Sequence, residues 1–376
     1  MKIFINALSA RQGGGQTYLI NLLERLPLNN DIEVFLISPN SFKIKNSNSN
    51  IIRINTPKII ITNPILRNIW EHFTLTKILK RFQIDVLFCP GGSVSKKASK
   101  VCKVVLTFQN MMPFDLEQRK KYPIGYMRFR NWALNRDLSK SMERADLVIF
   151  ISKFAESIIK QKYKIKIKKS IVIPHGVDPI FRKNDQQITR RPSWLPKEKY
   201  FLYVSTLDIY KSQIEVIYAY SSLKKNQNIK EKLVLIGSEY KPYGIKVRQI
   251  IKNNNLEDDV IIFNQIQHES LPLVYQHASL NIFASKTENC PFILLEAMSS
   301  NRPLLVSNCQ PMPEFGGNSV IYFNPYSSAD LYEKLKMAIN NEDKMLELSE
   351  KSFQYSKNFN WNRSAKLTWK SFNELI

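Results

Sequence analysis

The chain has 376 residues, enough for two ordinary domains, since single cores rarely grow past about 250–300 residues. An apolar fraction of 44% and an aromatic fraction of 11% mark a globular protein, and no uninterrupted apolar run nears the ~18 residues of a membrane span. The net charge of +23 is lopsided: residues 1–186 hold 32 Lys+Arg against 13 Asp+Glu, a net of +19. That half is expected to face something anionic, whether nucleic acid, acidic lipid or a phosphorylated substrate.

The apolar start, Met1 to Leu8, is too short for a signal peptide and reads as a first strand, Lys2–Leu8. Four cysteines (Cys89, Cys102, Cys290, Cys309) without C-x-x-C spacing fit a reducing compartment, not a disulfide framework. The first strand runs into Gly13-Gly14-Gly15 and then a helix over Gln16–Leu26, with Tyr18, Leu19, Leu22, Leu23 and Leu26 on one face and Pro27 ending it. Glycines before a helix let backbone approach an anion. G-x-G-x-x-G is absent and no Gly-Lys-Ser/Thr follows, so neither the dinucleotide fingerprint nor a P-loop is present. Three glycines alone are most often a flexible turn.

Further strands are expected at Ile32–Ser38, Ile84–Cys89, Val101–Phe108, Leu147–Ile151 and Ser170–Ile173, with helices at Leu66–Phe82, Met127–Ser141 and Lys153–Gln161. The one low-complexity piece, Asn46–Asn50, reads as a surface loop. Alternation of this kind implies a parallel sheet covered on both faces by helices. The polar stretch 179–199, with Pro192 and Pro196, reads as an interdomain linker. The alternation then restarts, with strands at Tyr200–Thr206, Lys232–Gly237, Val260–Phe263, Ser279–Ala284, Leu304–Ser307 and Val320–Phe323. Helices fit Ser212–Lys224, Lys246–Asn253, Ser270–His277, Pro291–Ser299 and Asn362–Leu375.

Two carboxylates stand out in the second half. Glu288 falls on the loop after the Ser279–Ala284 strand, and Glu296 lies eight residues on, in the second turn of a helix expected to begin at Pro291 and to pack through Leu294, Leu295 and Met298. Free N–H groups at a helix start make an anion site. Acids around such a site point to a ligand carrying both hydroxyls and phosphates, such as a nucleotide sugar. The plainer alternative is one loop glutamate and one solvated helical glutamate. Lys211, just past a strand end, can meet a phosphate as a point charge, although a lone lysine is usually solvent-facing. Ligands of open parallel sheets bind outside the carboxyl ends of the strands, which invites a cleft between the two domains.

The chain resembles the retaining glycosyltransferases of family 4, which have the two-domain GT-B fold. The resemblance spans nearly the whole length: Gly13-Gly14-Gly15, Ala145–Ser152, Ile173-Pro-His-Gly-Val-Asp178, Lys211, Glu288 and Glu296, Met312-Pro-Glu314 and Phe359-Asn-Trp361. It implies two Rossmann-like, doubly wound α/β domains facing across a cleft. These would be 1–178 on the acceptor and membrane side, a linker over 179–199, 200–358 binding the nucleotide sugar, and a helix in 359–376 crossing back to the first domain.

By the same resemblance, Glu288 contacts hydroxyls of the donor sugar, Glu296 the ribose and Lys211 the diphosphate. The diphosphate is also approached by Gly14 and Gly15 and by backbone around Asn289, Cys290, Pro291, Phe292 and Ile293. Ser205 and Thr206 stand where many relatives place an arginine, and Gln109-Asn110 where they often place a histidine. Gln109 can hydrogen-bond a hydroxyl near the reacting centre but is no base at neutral pH. No cofactor or metal is implied, because cations and helix N-termini stabilise the leaving group; Asp258-Asp259 is no Asp-x-Asp.

Between Arg119 and Trp132, cations and aromatics interleave (Arg119, Lys120, Lys121, Arg128, Arg130, Trp132). This strip is expected to dock on an anionic leaflet near a polyprenyl-diphosphate-linked or other glycan acceptor, giving a cytoplasmic enzyme peripheral to the inner membrane face. The lysine-rich stretch Lys153–Lys169 is read as a solvated face. The expected reaction moves a hexose or deoxyhexose from a UDP- or GDP-linked donor in surface polysaccharide synthesis, lipopolysaccharide included. Two alternatives stand beside it: a nucleic-acid-binding protein, which explains the charge but leaves Lys211 and the glutamates without work, and a sugar-nucleotide epimerase of the same fold.

Overall fold

A computed structural model describes residues 1–10, 13–27, 32–39, 42, 50–182 and 191–376. Of the Asn46–Asn50 stretch all but Asn50, and of the expected linker residues 183–190, lie outside the described residues. The chain forms two units. One holds Met1–Phe114, Ile124–Gly176 and Trp361–Ile376; the other holds Asp115–Pro123 and Val177–Asn360.

The first unit is built on a parallel seven-stranded sheet in the order β3-β2-β1-β4-β5-β6-β7. Its strands are β1 (Lys2–Asn6), β2 (Glu33–Ile37), β3 (Ile51–Arg53), β4 (Val86–Cys89), β5 (Lys103–Phe108), β6 (Leu147–Phe150) and β7 (Ser170–Val172). Helices α1 (Gly14–Leu23), α2 (Lys58–Thr62), α3 (Pro64–Trp70), α4 (Thr76–Arg81), α6 (Tyr126–Arg144) and α7 (Lys153–Ser157) belong with it; α5 (Leu116–Lys121) belongs to the second unit. Central strands read as continuous apolar runs because helices cover both faces, and β4 and β6 are buried at every position.

Three sequence expectations are corrected here. α1 begins at Gly14, so Gly14 and Gly15 form its first turn and Gly13, at φ 68°, occupies the cap. The single helix expected over Leu66–Phe82 is interrupted by a π-helical turn at Glu71–Leu75. The same happens to the helix expected over Lys153–Gln161, where Ile158–Lys162 is π-helical. Apolar spacing marks a face but does not report a single inserted residue.

The second unit has six parallel strands in the order β10-β9-β8-β11-β12-β13. They are β8 (Tyr200–Val204), β9 (Lys232–Ile236), β10 (Val260–Phe263), β11 (Leu280–Phe283), β12 (Leu304–Ser307) and β13 (Ile321–Phe323). Its remaining helices are α8 (Gln213–Gln227), α9 (Lys241–Asn253), α10 (Leu271–His277), α11 (Phe292–Ser299), α12 (Met312–Gly316), α13 (Ser328–Asn340) and α14 (Glu342–Ser356). The chain starts in mid-sheet at β8, builds outward through β9 and β10, then returns to lay β11 on the other side of β8. The β8–β11 boundary is therefore a topological switch point.

The last helix, α15 (Trp361–Asn373), packs on the first unit, as expected for a helix that crosses back. Trp361, Ala365, Trp369 and Phe372 form its buried stripe at helical spacing. Trp369 Nε1 donates to the carbonyl of Leu22 at 3.2 Å, the Phe372 and Phe88 ring centroids lie 5.0 Å apart, and Arg25 Nε donates to Asn362 Oδ1 at 2.7 Å.

Candidate functional site

At the β8–β11 switch point two loops converge. After β8 the chain passes Ser205 and Thr206, and Asp208 caps the short 3-10 turn Ile209–Lys211 by accepting from the Ile209 N–H at 2.7 Å. Ser212, at φ 58°, then turns the chain into α8. Tyr203, buried on β8, donates its hydroxyl to the Lys211 carbonyl at 2.7 Å and so locks the turn from below.

The second loop, Ala284 to Pro291, joins β11 to α11. Backbone ties the loops, since the Lys286 N–H donates to the Tyr210 carbonyl at 2.7 Å. Side chains add two links: Lys286 Nζ pairs with Glu215 Oε1 in the first turn of α8 at 2.6 Å, and Lys211 Nζ donates to Glu288 Oε1 between the loops. The pair expected to face a diphosphate and a sugar is thus brought into direct contact.

Lys211 is buried. Desolvation works against its charged form, but the Glu288 carboxylate and Tyr210 more than offset it, and its pKa lies above the ordinary lysine value. Asn289 and Cys290 are buried beside Glu288. α11 begins at Phe292, not at Pro291. The proline takes the cap position instead, where its ψ of 87° is non-helical and where its missing N–H is equally harmless. Leu294, Leu295 and Met298 are fully buried, as their spacing requires. The Phe292 N–H donates to the Cys290 carbonyl at 3.0 Å.

Glu296, in the second turn of α11, accepts from the Tyr275 hydroxyl at 3.3 Å. Desolvation pushes its carboxyl up to about 8; Tyr275 offsets part of that and Asp178 adds to it. Ser205 is buried, its hydroxyl turned to the Thr206 carbonyl at 3.2 Å, while Thr206 Oγ1 and Ser238 Oγ lie 3.4 Å apart.

The remaining expected residues fall elsewhere. In the first unit, Gln109 donates through Nε2 to the Pro90 carbonyl at 2.8 Å, with its Oε1 toward Gly15. Both border an open groove of about 1300 Å³, also lined by Arg67, Tyr126, Phe129 and Arg130. A smaller cavity of about 230 Å³ adjoins through shared Arg67 and Asp137 and reaches Asn6 and Glu71. Asn6 Nδ2 donates to the buried Glu71 Oε1 at 2.8 Å across 65 positions of sequence. The sequence carries no local signal for that pair.

The basic–aromatic strip does not stay together. Arg119, Lys120 and Lys121 sit on α5 in the second unit, whereas Arg128, Arg130 and Trp132 sit on α6 in the first. Composition misses this division because cations and aromatics continue across Pro123 and Gly125, where the six-residue α5 ends and the nineteen-residue α6 begins. On the α6 side Ile124, Phe129 and Trp132 are 90%, 65% and 51% exposed.

Two family models tile the chain: Glycosyltransferase Family 4 matches residues 12–181, and Glycosyl transferases group 1 matches 184–355. Among curated proteins, the O-antigen chain mannosyltransferase RfbU of Salmonella typhimurium is 22% identical over 271 residues, 72% of this chain and 70% of that one. Among solved structures, Anabaena HepE in complex with UDP superposes with a TM-score of 0.73 at 17% identity, covering all of both chains. WaaG, a glycosyltransferase involved in lipopolysaccharide biosynthesis, gives a TM-score of 0.73 at 14% identity, again over all of both chains.

Proposed function

We propose that this chain is a glycosyltransferase of the GT-B fold that moves a hexose or deoxyhexose, with retention of configuration and without a metal, from a UDP- or GDP-linked donor to a glycan or lipid-linked glycan in surface polysaccharide assembly. The observation that carries the reading is the meeting of Lys211 and Glu288 at the switch point, at the start of α11. One group of each sign there matches a ligand that presents phosphates and hydroxyls side by side.

The second unit takes the donor. Lys211 and the start of α11 counter charge growing on the departing diphosphate, Glu288 engages hydroxyls of the sugar, and Glu296 engages the ribose. The acceptor hydroxyl attacks the anomeric carbon from the face that the diphosphate leaves. One carbon–oxygen bond forms as the other breaks, and the hydroxyl proton passes to the departing phosphate oxygen. Gln109 serves as a hydrogen-bonding group for a sugar hydroxyl.

The acceptor side is assigned to the groove of the first unit, and the exposed start of α6 to an anionic membrane surface. O-antigen and lipopolysaccharide enzymes among the relatives support the substrate class. The nucleic-acid-binding and epimerase readings find no support in these comparisons.

Thermal-shift screening against nucleoside mono- and diphosphates, followed by donor turnover with and without glycan acceptor, tests the proposal. A selective shift with UDP or GDP and acceptor-dependent turnover are expected. Turnover of the sugar donor to an isomer without any acceptor would replace this reading with the epimerase.

A further inference from the structure

The six-residue helix α5 lies between β5 and α6 in sequence, both parts of the first unit, yet it packs in the second. Its two ends hold the two loops of the donor site. At the front end Asp115 uses both carboxylate oxygens. Oδ1 accepts from the Gln118 N–H at 3.0 Å and closes the helix start, while Oδ2 accepts from the hydroxyl of Thr287, the residue before Glu288. At the far end the Tyr122 ring packs edge-on against Tyr240, with centroids 5.6 Å apart. Its hydroxyl donates to Asp208 Oδ1 at 2.7 Å. That same oxygen caps the turn carrying Lys211. Between these ends, Gln118 Nε2 donates to the Tyr326 hydroxyl at 2.9 Å and Lys121 lies 4.9 Å over the Tyr326 ring, which are ordinary packing contacts.

We propose that α5 is a strap that sets the Lys211–Glu288 geometry, with Asp115 and Tyr122 as positioning residues: Asp115 acts through Thr287 on Glu288, and Tyr122 acts through Asp208 on Lys211. Helix α5 is a rigid bar about 9 Å long at 1.5 Å per residue, with one hydrogen bond at each end to one of the two loops, added to the contacts the loops make with each other. The inference deepens the donor-site reading above and rests on it.

Thr287→Val removes the hydroxyl at nearly constant volume, Thr287→Ser keeps it, and Tyr122→Phe keeps the ring but loses the O–H. Gln118→Leu serves as the control that disturbs α5 without touching either end. Because loss of geometry at a reacting centre costs about ten- to hundredfold in rate, Thr287→Val is expected to lower kcat by that factor while leaving the calorimetric Kd for UDP or GDP unchanged. Thr287→Ser is expected to restore kcat. Tyr122→Phe is expected to raise that Kd about tenfold as well as lower kcat, because its target is the lysine facing phosphate. Gln118→Leu is expected to lower Tm only.

If Thr287→Val and Tyr122→Phe keep wild-type kcat and Kd and differ only in Tm, α5 is a packing element and the strap is wrong. If Lys211→Ala and Glu288→Gln themselves keep full transfer, the donor-site reading fails and the strap proposal falls with it.

Discussion

The Lys211 ammonium donates to the Glu288 carboxylate across 77 positions of sequence. The contact exists because β8 and β11 are neighbours in the sheet although β9 and β10 intervene in the chain. Both side chains are largely removed from solvent, at 8% and 17% exposure, so neither charge is well served by water. In the proposed donor site, an incoming diphosphate would compete with Glu288 for Lys211, and the carboxylate so released would be available to a sugar hydroxyl.

Lys211→Ala is expected to raise the Kd for the nucleoside diphosphate at least tenfold, because a phosphate loses its cation, and to destabilise the fold by roughly 1–3 kcal/mol by leaving a partly buried carboxylate without its partner. Glu288→Gln is expected to keep nucleotide affinity within a few-fold and to cut transfer by about a hundredfold or more. Calorimetry and a transfer assay separate the two.

Glu296 gives the second unit a pH signature. Its folded pKa of about 8 lies above that of an unfolded glutamate, so between the ordinary carboxylate range and pH 8 the unfolded chain has released a proton that the folded protein still holds. The stability this contributes is complete below about pH 4.5, falls as pH rises, and is gone above about pH 8. Urea midpoints are expected to drop from pH 6 to pH 9 more steeply in the wild type than in Glu296→Gln, which cannot ionise. Parallel pH profiles would show that Glu296 does not titrate in this window.

Gly237 follows β9 at φ 154°, and a Cβ there would stand 2.2 Å from the Ser205 carbonyl oxygen and 2.5 Å from its carbon. Both are backbone, so the loop carrying Ser205 and Thr206 must move. Gly237→Ala is expected to cost about 1–3 kcal/mol in urea unfolding and to weaken nucleotide binding, whereas alanine at the Gly13 cap meets no neighbouring atom and is opposed only by the φ of 68°.

Trp369 carries the attachment of α15. It is buried, and its indole N–H is satisfied by the Leu22 carbonyl. Trp369→Ala is expected to destabilise the first unit by roughly 3–5 kcal/mol in urea unfolding, with little effect on nucleotide affinity, since the proposed donor site lies in the second unit.

Phe129 and Trp132, with ring centroids 5.8 Å apart, and the neighbouring Arg128 and Arg130 make the start of α6 the proposed membrane contact. The double variant Phe129→Ser, Trp132→Ser is expected to reduce co-sedimentation with anionic vesicles several-fold. Removing the two arginines is expected to reduce mainly the salt-sensitive part. Equal binding of the wild type to neutral and anionic vesicles at low salt would exclude the assignment.

The apolar runs of the central strands and the glutamate-bearing β11–α11 unit were legible because full burial writes itself as continuous hydrophobicity: Leu304–Ser307, buried at every position, matches to the residue. β3 was not, since it is three residues long, lies at the sheet edge and is half exposed. Nor was α14, whose buried stripe is Met345, Ser349, Ser352 and Ser356. Serines read as surface, yet here Ser356 meets the Ser299 hydroxyl at 3.1 Å where α14 lies on α11. Small polar residues permit close helix packing without leaving a hydrophobic trace.

Residue order alone determined two α/β halves, the burial of their strands and helix faces, and the identity of the charged groups at the strand ends, because burial and helical period act over a few neighbouring residues. Only the tertiary structure decided which polar groups meet. Lys211 reaches Glu288, Tyr122 reaches Asp208, and Asn6 reaches Glu71 through strand order and helix placement, which depend on the summed packing of the whole sheet and leave no mark on the segments they join.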